Sequence, residues 1–370
     1  MVMMLAVAGF GSATSKAQTK LKIGVSNSFV GSEWRTQMLQ NMENVVAELK
    51  GKGIDIELVV ESKDTDVPGQ IQQIQNLVNK GVQAIIINPG DVKGLNATIE
   101  ETVAGGIPVI SIDQAIDAKG VINVVIDQTE WARISARWVA EQMGGKGDLV
   151  LIEGFVGHPA NEARMAGVKE VLDKYPDIKV VGRDTGKWDQ ATGQKVMSNF
   201  LTSLPNIDAV WTQDGMATGV LTAIKTANPK KWPIVVGEAR ASYLQLWKEI
   251  QKDRADFTSF GVVNPPGVAS SGLRVAVELL TGGKIAPEAL QGANKNTLFV
   301  PIPYIVDKTN FDAQYAAVKD AAPSYTLDGI ISQDDAKALI AGKFKVEAPK
   351  AAAPAMMPAM AATMAATAAK

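Results

Sequence analysis

The chain has 370 residues, 46% of them hydrophobic, enough to bury one large or two medium cores. Its 37 basic and 39 acidic residues leave a net charge of −2, without the basic footprint that a nucleic-acid partner requires. With no cysteine and a single histidine, disulfides, thiolate metal sites, a Cys nucleophile, an acylated N-terminal cysteine and a His-rich metal centre are excluded too.

Met1–Phe10 is a short apolar run, too short to span a bilayer as a helix. Ser15-Lys16-Ala17 follows with the small-x-small pattern that a signal peptidase pocket admits. Residues 1–17 are therefore expected to be a signal peptide cleaved after Ala17, exporting the protein to the periplasm or the cell-envelope exterior. From Leu21 onward, strand and helix signals alternate. Leu21–Ser26 reads as a strand, and Glu33–Lys50 as a helix with Trp34, Met38, Met42, Val45 and Leu49 at helical spacing. Ile54–Val60 is a strand, and Pro68–Lys80 a helix opening on proline. Gln83–Asn88, Pro108–Asp113 and Val121–Ile126 are strands, with a helix over Leu95–Ala104.

The alternation restarts with a helix over Glu130–Met143, a strand over Asp148–Glu153, a helix over Asn161–Lys174 and a strand over Ile178–Arg183. It continues through Gln190–Leu204, Ala209–Gln213, Met216–Ala227, Ile234–Glu238 and Ser242–Gln251. Gly51, Gly81, Gly105-Gly106 and Gly144-Gly145 sit where left-handed helix caps are needed. Residues 345–370 are rich in Ala, Pro and Met without amphipathic pattern, and are expected to be a disordered tail outside the fold.

Alternating elements with fully apolar strands imply parallel sheets covered by helices on both faces. Open sheets rarely exceed ~10 strands, so the expected fold class is α/β, with two doubly wound parallel-sheet lobes. Functional loops then gather beyond the carboxyl ends of the strands. Polar and aromatic residues concentrate there: Asn27-Ser28-Phe29, Asn88, Asp113-Gln114, Asp127-Gln128, Gln213-Asp214 and Glu238.

Four segments carry a resemblance. They are Val82–Pro89, Gly106–Asp113, Gly157–Gly167 with its arginine, and Ala209–Gly219 with its amide–acid pair. In this order and spacing the chain resembles the type I periplasmic sugar-binding proteins, the ribose/galactose-binding group, from about Lys22 to about Lys308. The resemblance implies lobes of 20–126 plus 264–297 and 127–263 plus 298–344, joined by a multi-strand hinge. It also implies reversible capture of a sugar, delivery to an ABC permease, no cofactor, and a monomer.

Trp34 and Arg35 fall where that family places two ring-flanking aromatics, Asp113 matches its hydroxyl acceptor, and Gln114 replaces a common Arg. Arg164 matches the cleft arginine, Trp188 the aromatic of the second lobe, Gln213 a common Asn with Asp214 beside it, and Asn264 a hinge-side amide. Two departures stand out. Glu238-Ala239 replaces an apolar residue followed by Asp, and Phe29 belongs to a longer loop before Trp34.

A sugar presents hydroxyls that donate and accept, and apolar C–H faces. It is held by amides, charged groups and aromatic rings. The expected ligand-binding set is Asn27, Phe29, Trp34, Arg35, Asp113, Gln114, Arg164, Trp188, Gln213, Asp214, Glu238 and Asn264. Structural roles compete: Trp34 shares a helix face with Met38 and Met42, Asp113 suits a turn cap, and Arg164 suits a surface pair with Glu162 or Glu170.

Enzyme signatures are missing: neither G-x-x-x-x-G-K-[ST] nor Gly-x-Ser-x-Gly occurs, and His158 is the sole imidazole. No catalytic residue and no metal ligand is expected. The ligand expected is a neutral monosaccharide or polyol. An alternative role is a ligand-binding protein serving a chemoreceptor or sensor kinase.

Overall fold

The computed structural model describes residues 20–91, 93–347 and 349–351. The expected signal peptide, and the tail beyond Ala351, lie outside the described residues. The first half runs β1 (Leu21–Asn27), α1 (Glu33–Gly51), β2 (Ile56–Ser62), α2 (Val67–Asn79), β3 (Ala84–Asn88), α3 (Asn96–Ala104), β4 (Val109–Ile112), β5 (Ile122–Val125). It is followed by α4 (Gln128–Gln142), β6 (Lys146–Glu153), α5 (Pro159–Leu172), β7 (Asp177–Thr185), α6 (Gln190–Ser203), β8 (Ala209–Thr212), α7 (Ala217–Ala227), β9 (Ile234–Val235) and α8 (Ala241–Ile250). The chain then adds β10 (Gly261–Val262), α9 (Val268–Leu280), β11 (Thr297–Phe299), β12 (Tyr304–Val306), α10 (Phe311–Val318), α11 (Gln333–Ile340) and β13 (Lys350–Ala351).

Two parallel sheets organise these elements. One has the order β11-β5-β4-β3-β1-β2 and the other β7-β6-β8-β9. A smaller sheet, β10-β12-β13, pairs β10 antiparallel to β12. The fully apolar strands predicted from sequence have a direct cause in β3. Its Ile85 and Ile87 face the side of Ile74, Leu77 and Ile99, while Ala84 and Ile86 face Met38, Met42 and Leu273. A strand covered by helices on both faces cannot alternate apolar with polar.

Helix α1 buries Trp34, Met38, Met42, Val45 and Leu49, as their spacing predicts, and Ser32 caps it by accepting the Arg35 N–H. The left-handed residue after α1 is Gly53, with φ 87°, rather than Gly51, which ends the helix itself. No helix among the described residues is long and apolar enough to cross a membrane.

The C-terminal stretch corrects two expectations. Helix α11 packs on α9 through Ala336, Leu339 and Ile340, beside the six-stranded sheet. Residues 298–344 therefore do not all stay with the second half. The apolar face of α9 is wide enough to need covering by both α1 and α11. Lys350–Ala351, expected in the tail, pair with Tyr304 and Ile305 of β12, whose other side is filled by β10.

Candidate functional site: a cleft at the carboxyl ends of two sheets

A cleft of about 490 Å³ opens where the carboxyl ends of the two parallel sheets face each other. Its lining includes Phe29, Trp34, Arg35, Asp91 and Asp113 from the first half and Phe155, His158, Arg164, Trp188, Asp214 and Arg240 from the second, with Asn264 at the crossover. The backbone is bent to present several of these groups. Asp113 has φ 69°, Trp188 φ 53° and Asp214 φ 39°, left-handed conformations that side chains other than Asn and Asp rarely adopt. Of the three only Trp188 is strained by this conformation, and strain of that kind concentrates where function demands a particular orientation.

Helix α5 delivers two of the lining side chains. Pro159 at its first position forces His158 into an extended conformation, and His158 caps the helix, its Nδ1 accepting the Ala160 N–H at 3.3 Å. One turn later, Arg164 points into the floor of the cleft. Its Nε donates to Gln128 Oε1 at 2.8 Å, its Nη1 donates to Gln213 Oε1 at 3.2 Å and pairs with Asp214, and its guanidinium lies 4.2 Å from the Trp131 ring. Glu170, one alternative partner from sequence, pairs instead with Arg133. Gln128 also donates to the Asp113 carbonyl at 3.1 Å, so one side chain links the floor residues of both halves.

Trp188 lies against the Gly154 backbone, where a Cβ would enter its ring, and its Nε1 donates to Gln213 Oε1 at 2.9 Å. Trp34 is buried and donates Nε1–H to the Asn264 carbonyl at 2.9 Å, so it is both a core residue and part of the wall. Phe29 meets Phe155 edge to face at 6.2 Å across the mouth, and Phe155 meets Trp188 at 5.5 Å.

Eight of the expected residues therefore line the cleft: Phe29, Trp34, Arg35, Asp113, Arg164, Trp188, Asp214 and Asn264. The other four stand behind it. Asn27 accepts from Arg35 Nη1 at 2.8 Å, and Gln114 donates to Asn88 at 2.7 Å. Gln213 holds Arg164 and Trp188, and Glu238 accepts from Thr218 and Arg240 at 3.1 Å. Each is a buried amide or acid that orients a neighbour, although Gln114 does so through its Nε2 alone and its Oε1 has no partner among the described residues.

Sequence reasoning missed Asp91, Phe155, His158 and Arg240. Phe155 follows β6 as Phe29 follows β1, so the strand-end rule would have found it. Arg240 sits in the same Gly237-Glu238-Ala239-Arg240 segment that departs from the family pattern.

Burial dominates the electrostatics. It lowers Arg35 to about 10, with Asp113 opposing the shift, and it raises Asp113 despite Arg35 and Arg164. Burial likewise raises Glu238 to about 7, against the pull of Arg240.

His158 is lowered to about 3, by burial first and then by the positive charges of Arg35 and Arg164. Its stabilising contribution is complete above the unfolded value near 6.5 and is lost as pH falls toward 3, at about 1.4 kcal/mol per unit. A protonated Nδ1 could no longer accept the Ala160 N–H. His158→Asn, which keeps a capping acceptor, should therefore flatten the fall in stability between pH 6.5 and 4, measured by chemical denaturation. Equal slopes in the two proteins would refute a half-buried imidazole held neutral. Because the chain has only one histidine, its NMR titration reads the same quantity directly.

Residues 23–284 match the family model of the periplasmic binding protein domain. The chain is similar to the xylitol-binding protein of Mycolicibacterium smegmatis, at 30% identity over 308 residues, covering 82% of this chain and 85% of that protein. It is also similar to the D-allose-binding periplasmic protein of Escherichia coli K12, at 26% identity over 250 residues, covering 65% of this chain and 79% of that protein. Among solved structures, it is similar to an ABC transporter solute binding protein from Thermobispora bispora, with a TM-score of 0.74 and 27% identity over 89% of this chain and 98% of that one.

Proposed function

The chain belongs to the periplasmic binding protein domain family, and on that premise we propose that it captures a neutral monosaccharide or polyol in its cleft and passes it to an ABC permease. It is a binding protein and not an enzyme, and it works outside the cytoplasm. The periplasm or the outer face of the cell envelope is its proposed place, monomeric, after loss of residues 1–17.

The observation that carries the neutral ligand is the pairing of charge inside the cleft. Arg164 pairs with Asp214 and Arg240 sits between Glu238 and Glu33, while the charge of Arg35 is felt by Asp113 without an ion pair between them. An anionic ligand would need a guanidinium released from its carboxylate, and an ammonium would need the reverse. A polyhydroxy ligand needs neither, because its hydroxyls donate to the carboxylates and accept from the guanidinium groups at once. Trp34 and Trp188 supply apolar faces for its C–H surfaces. The xylitol and D-allose named for the two relatives have this chemistry.

The lobes proposed are 20–126 with 264–299 and α11, and 127–263 with 300–325. This division is supported by β11 joining the first sheet, by α9 packing on β3, β4 and β5, and by α10 packing on α8. Ligand contacts from both lobes favour the closed arrangement, since only there are both sets made.

A thermal-shift panel of pentoses, hexoses, polyols, sugar acids and amino acids tests the reading. Ligand at about a thousand times its Kd stabilises by ~4 kcal/mol, a rise of several degrees. The largest rise is expected from a neutral sugar or polyol. A sugar acid as the best compound would overturn neutrality, and a response to amino acids alone would overturn the carbohydrate reading.

A further inference from the structure

The role of Arg240 goes beyond charge balance. It is buried at the start of α8, held in an extended conformation by a bridge to Thr326. Its Nε donates to Glu238 Oε2 at 3.1 Å, within its own half. Glu238 is itself fixed by the Thr218 hydroxyl at 3.1 Å. Nη1 reaches the opposite half and donates to Glu33 Oε2 at 2.8 Å. Glu33 opens α1 immediately before Trp34 and Arg35, the two residues that α1 contributes to the cleft. Of Arg240's own three guanidinium nitrogens, Nη2 alone makes no hydrogen bond to another described residue, and the side chain lines the cleft. It passes over Gly215, where an added Cβ would lie 3.4 Å away.

We propose that Arg240 determines ligand affinity in two linked ways, tying the two halves of the cleft together through Glu33 and offering Nη2 as a donor to an oxygen of the bound ligand. The second part rests on the carbohydrate reading of the cleft, and the first does not. A guanidinium suits this task because its planar fork directs three nitrogens at three partners at once. Glu238 fixes the fork within its own half. Glu33 is largely exposed and is readily hydrated when the halves separate, so the tie shifts the ligand-free equilibrium toward the closed arrangement without holding the cleft permanently shut. The donor at Nη2 is placed in register with Trp34 and Arg35 only when that tie is made. Arg240 thus favours a ligand with an acceptor oxygen, a hydroxyl or a ring oxygen, on the side of Gly215.

The test compares wild type, Glu33→Gln and Arg240→Lys by small-angle scattering without ligand and by calorimetric titration with xylitol and with D-allose. Glu33→Gln removes the charge of the tie and leaves Nη1 only a neutral amide oxygen, at an exposed position where folding is not at risk. It should expand the ligand-free protein and weaken binding about tenfold. Arg240→Lys keeps the charge but loses the fork, and should weaken binding about a hundredfold. An unchanged radius of gyration in Glu33→Gln overturns the tie. Arg240→Lys binding no more weakly than Glu33→Gln overturns the donor. Should wild type bind neither sugar, the titrations use the neutral sugar or polyol with the largest thermal shift; a wild type that responds to no neutral sugar or polyol overturns the carbohydrate reading and with it the donor, while the scattering of Glu33→Gln still decides the tie.

Discussion

Replacing Arg164 by Met is expected to destabilise the protein by about 3–5 kcal/mol, the cost of leaving the partner of a buried ion pair behind, and to weaken binding of its sugar or polyol by at least about thirtyfold. Arg164 is 1% exposed, and four groups converge on it: Gln128, Gln213, Asp214 and the face of Trp131. Methionine fills much of the volume but donates nothing, so Asp214 is left charged and both amide oxygens lose a donor. Arg164→Lys separates charge from geometry. One ammonium cannot serve Gln128 and Asp214 in the two directions that Nε and Nη1 now cover, so lysine should recover only a minor part of the loss. Urea denaturation of the ligand-free proteins and calorimetric titration measure the two effects. A lysine variant with wild-type stability would mean that Arg164 contributes charge alone.

Gly219→Ala is expected to cost about 3 kcal/mol and lower the melting temperature by on the order of 5 °C or more. Gly219 lies in the first turn of α7, where an added Cβ would fall well inside van der Waals contact with the carbonyl oxygen of Gln190 and 3.0 Å from the backbone nitrogen of Gln194. Both atoms belong to the backbone of α6 and cannot rotate away. Relief requires moving the start of α6, which Asp189 caps directly after Trp188. The same substitution should therefore weaken ligand binding from a position outside the cleft wall. Gly51→Ala is the control. It ends α1 with open space where the Cβ would go, and should be neutral or slightly stabilising. Equal melting temperatures for Gly219→Ala and wild type would show that the helices slide apart at little cost.

The order of elements was legible because it depends on short-range periodicity. Trp34, Met38, Met42, Val45 and Leu49 recur at helical spacing, and Ala84-Ile85-Ile86-Ile87 is apolar on both faces; each pattern excludes other local structures. The location of the cleft was legible for a related reason. Parallel strands bring their carboxyl ends to one edge, so Phe29, Asp113 and Asp214 reach it wherever the loops run.

The sequence by itself determined the class of fold, the edge of the sheets at which the cleft opens, and eight of the side chains that line it. Tertiary structure alone decided which polar residues face the cleft and which stand behind it. Asn27, Gln114, Gln213 and Glu238 have the same composition as wall residues, and only the packing turns them toward Arg35, Asn88, Arg164 and Arg240. Tertiary structure also chose the ionic partners, joining Arg164 to Asp214 across 50 positions and Arg240 to Glu33 across 207. Pairing at such separation leaves no local periodicity to read. It follows from where the two sheets meet, and that meeting is settled by the burial of whole faces such as that of α9, not by the polar residues it brings together.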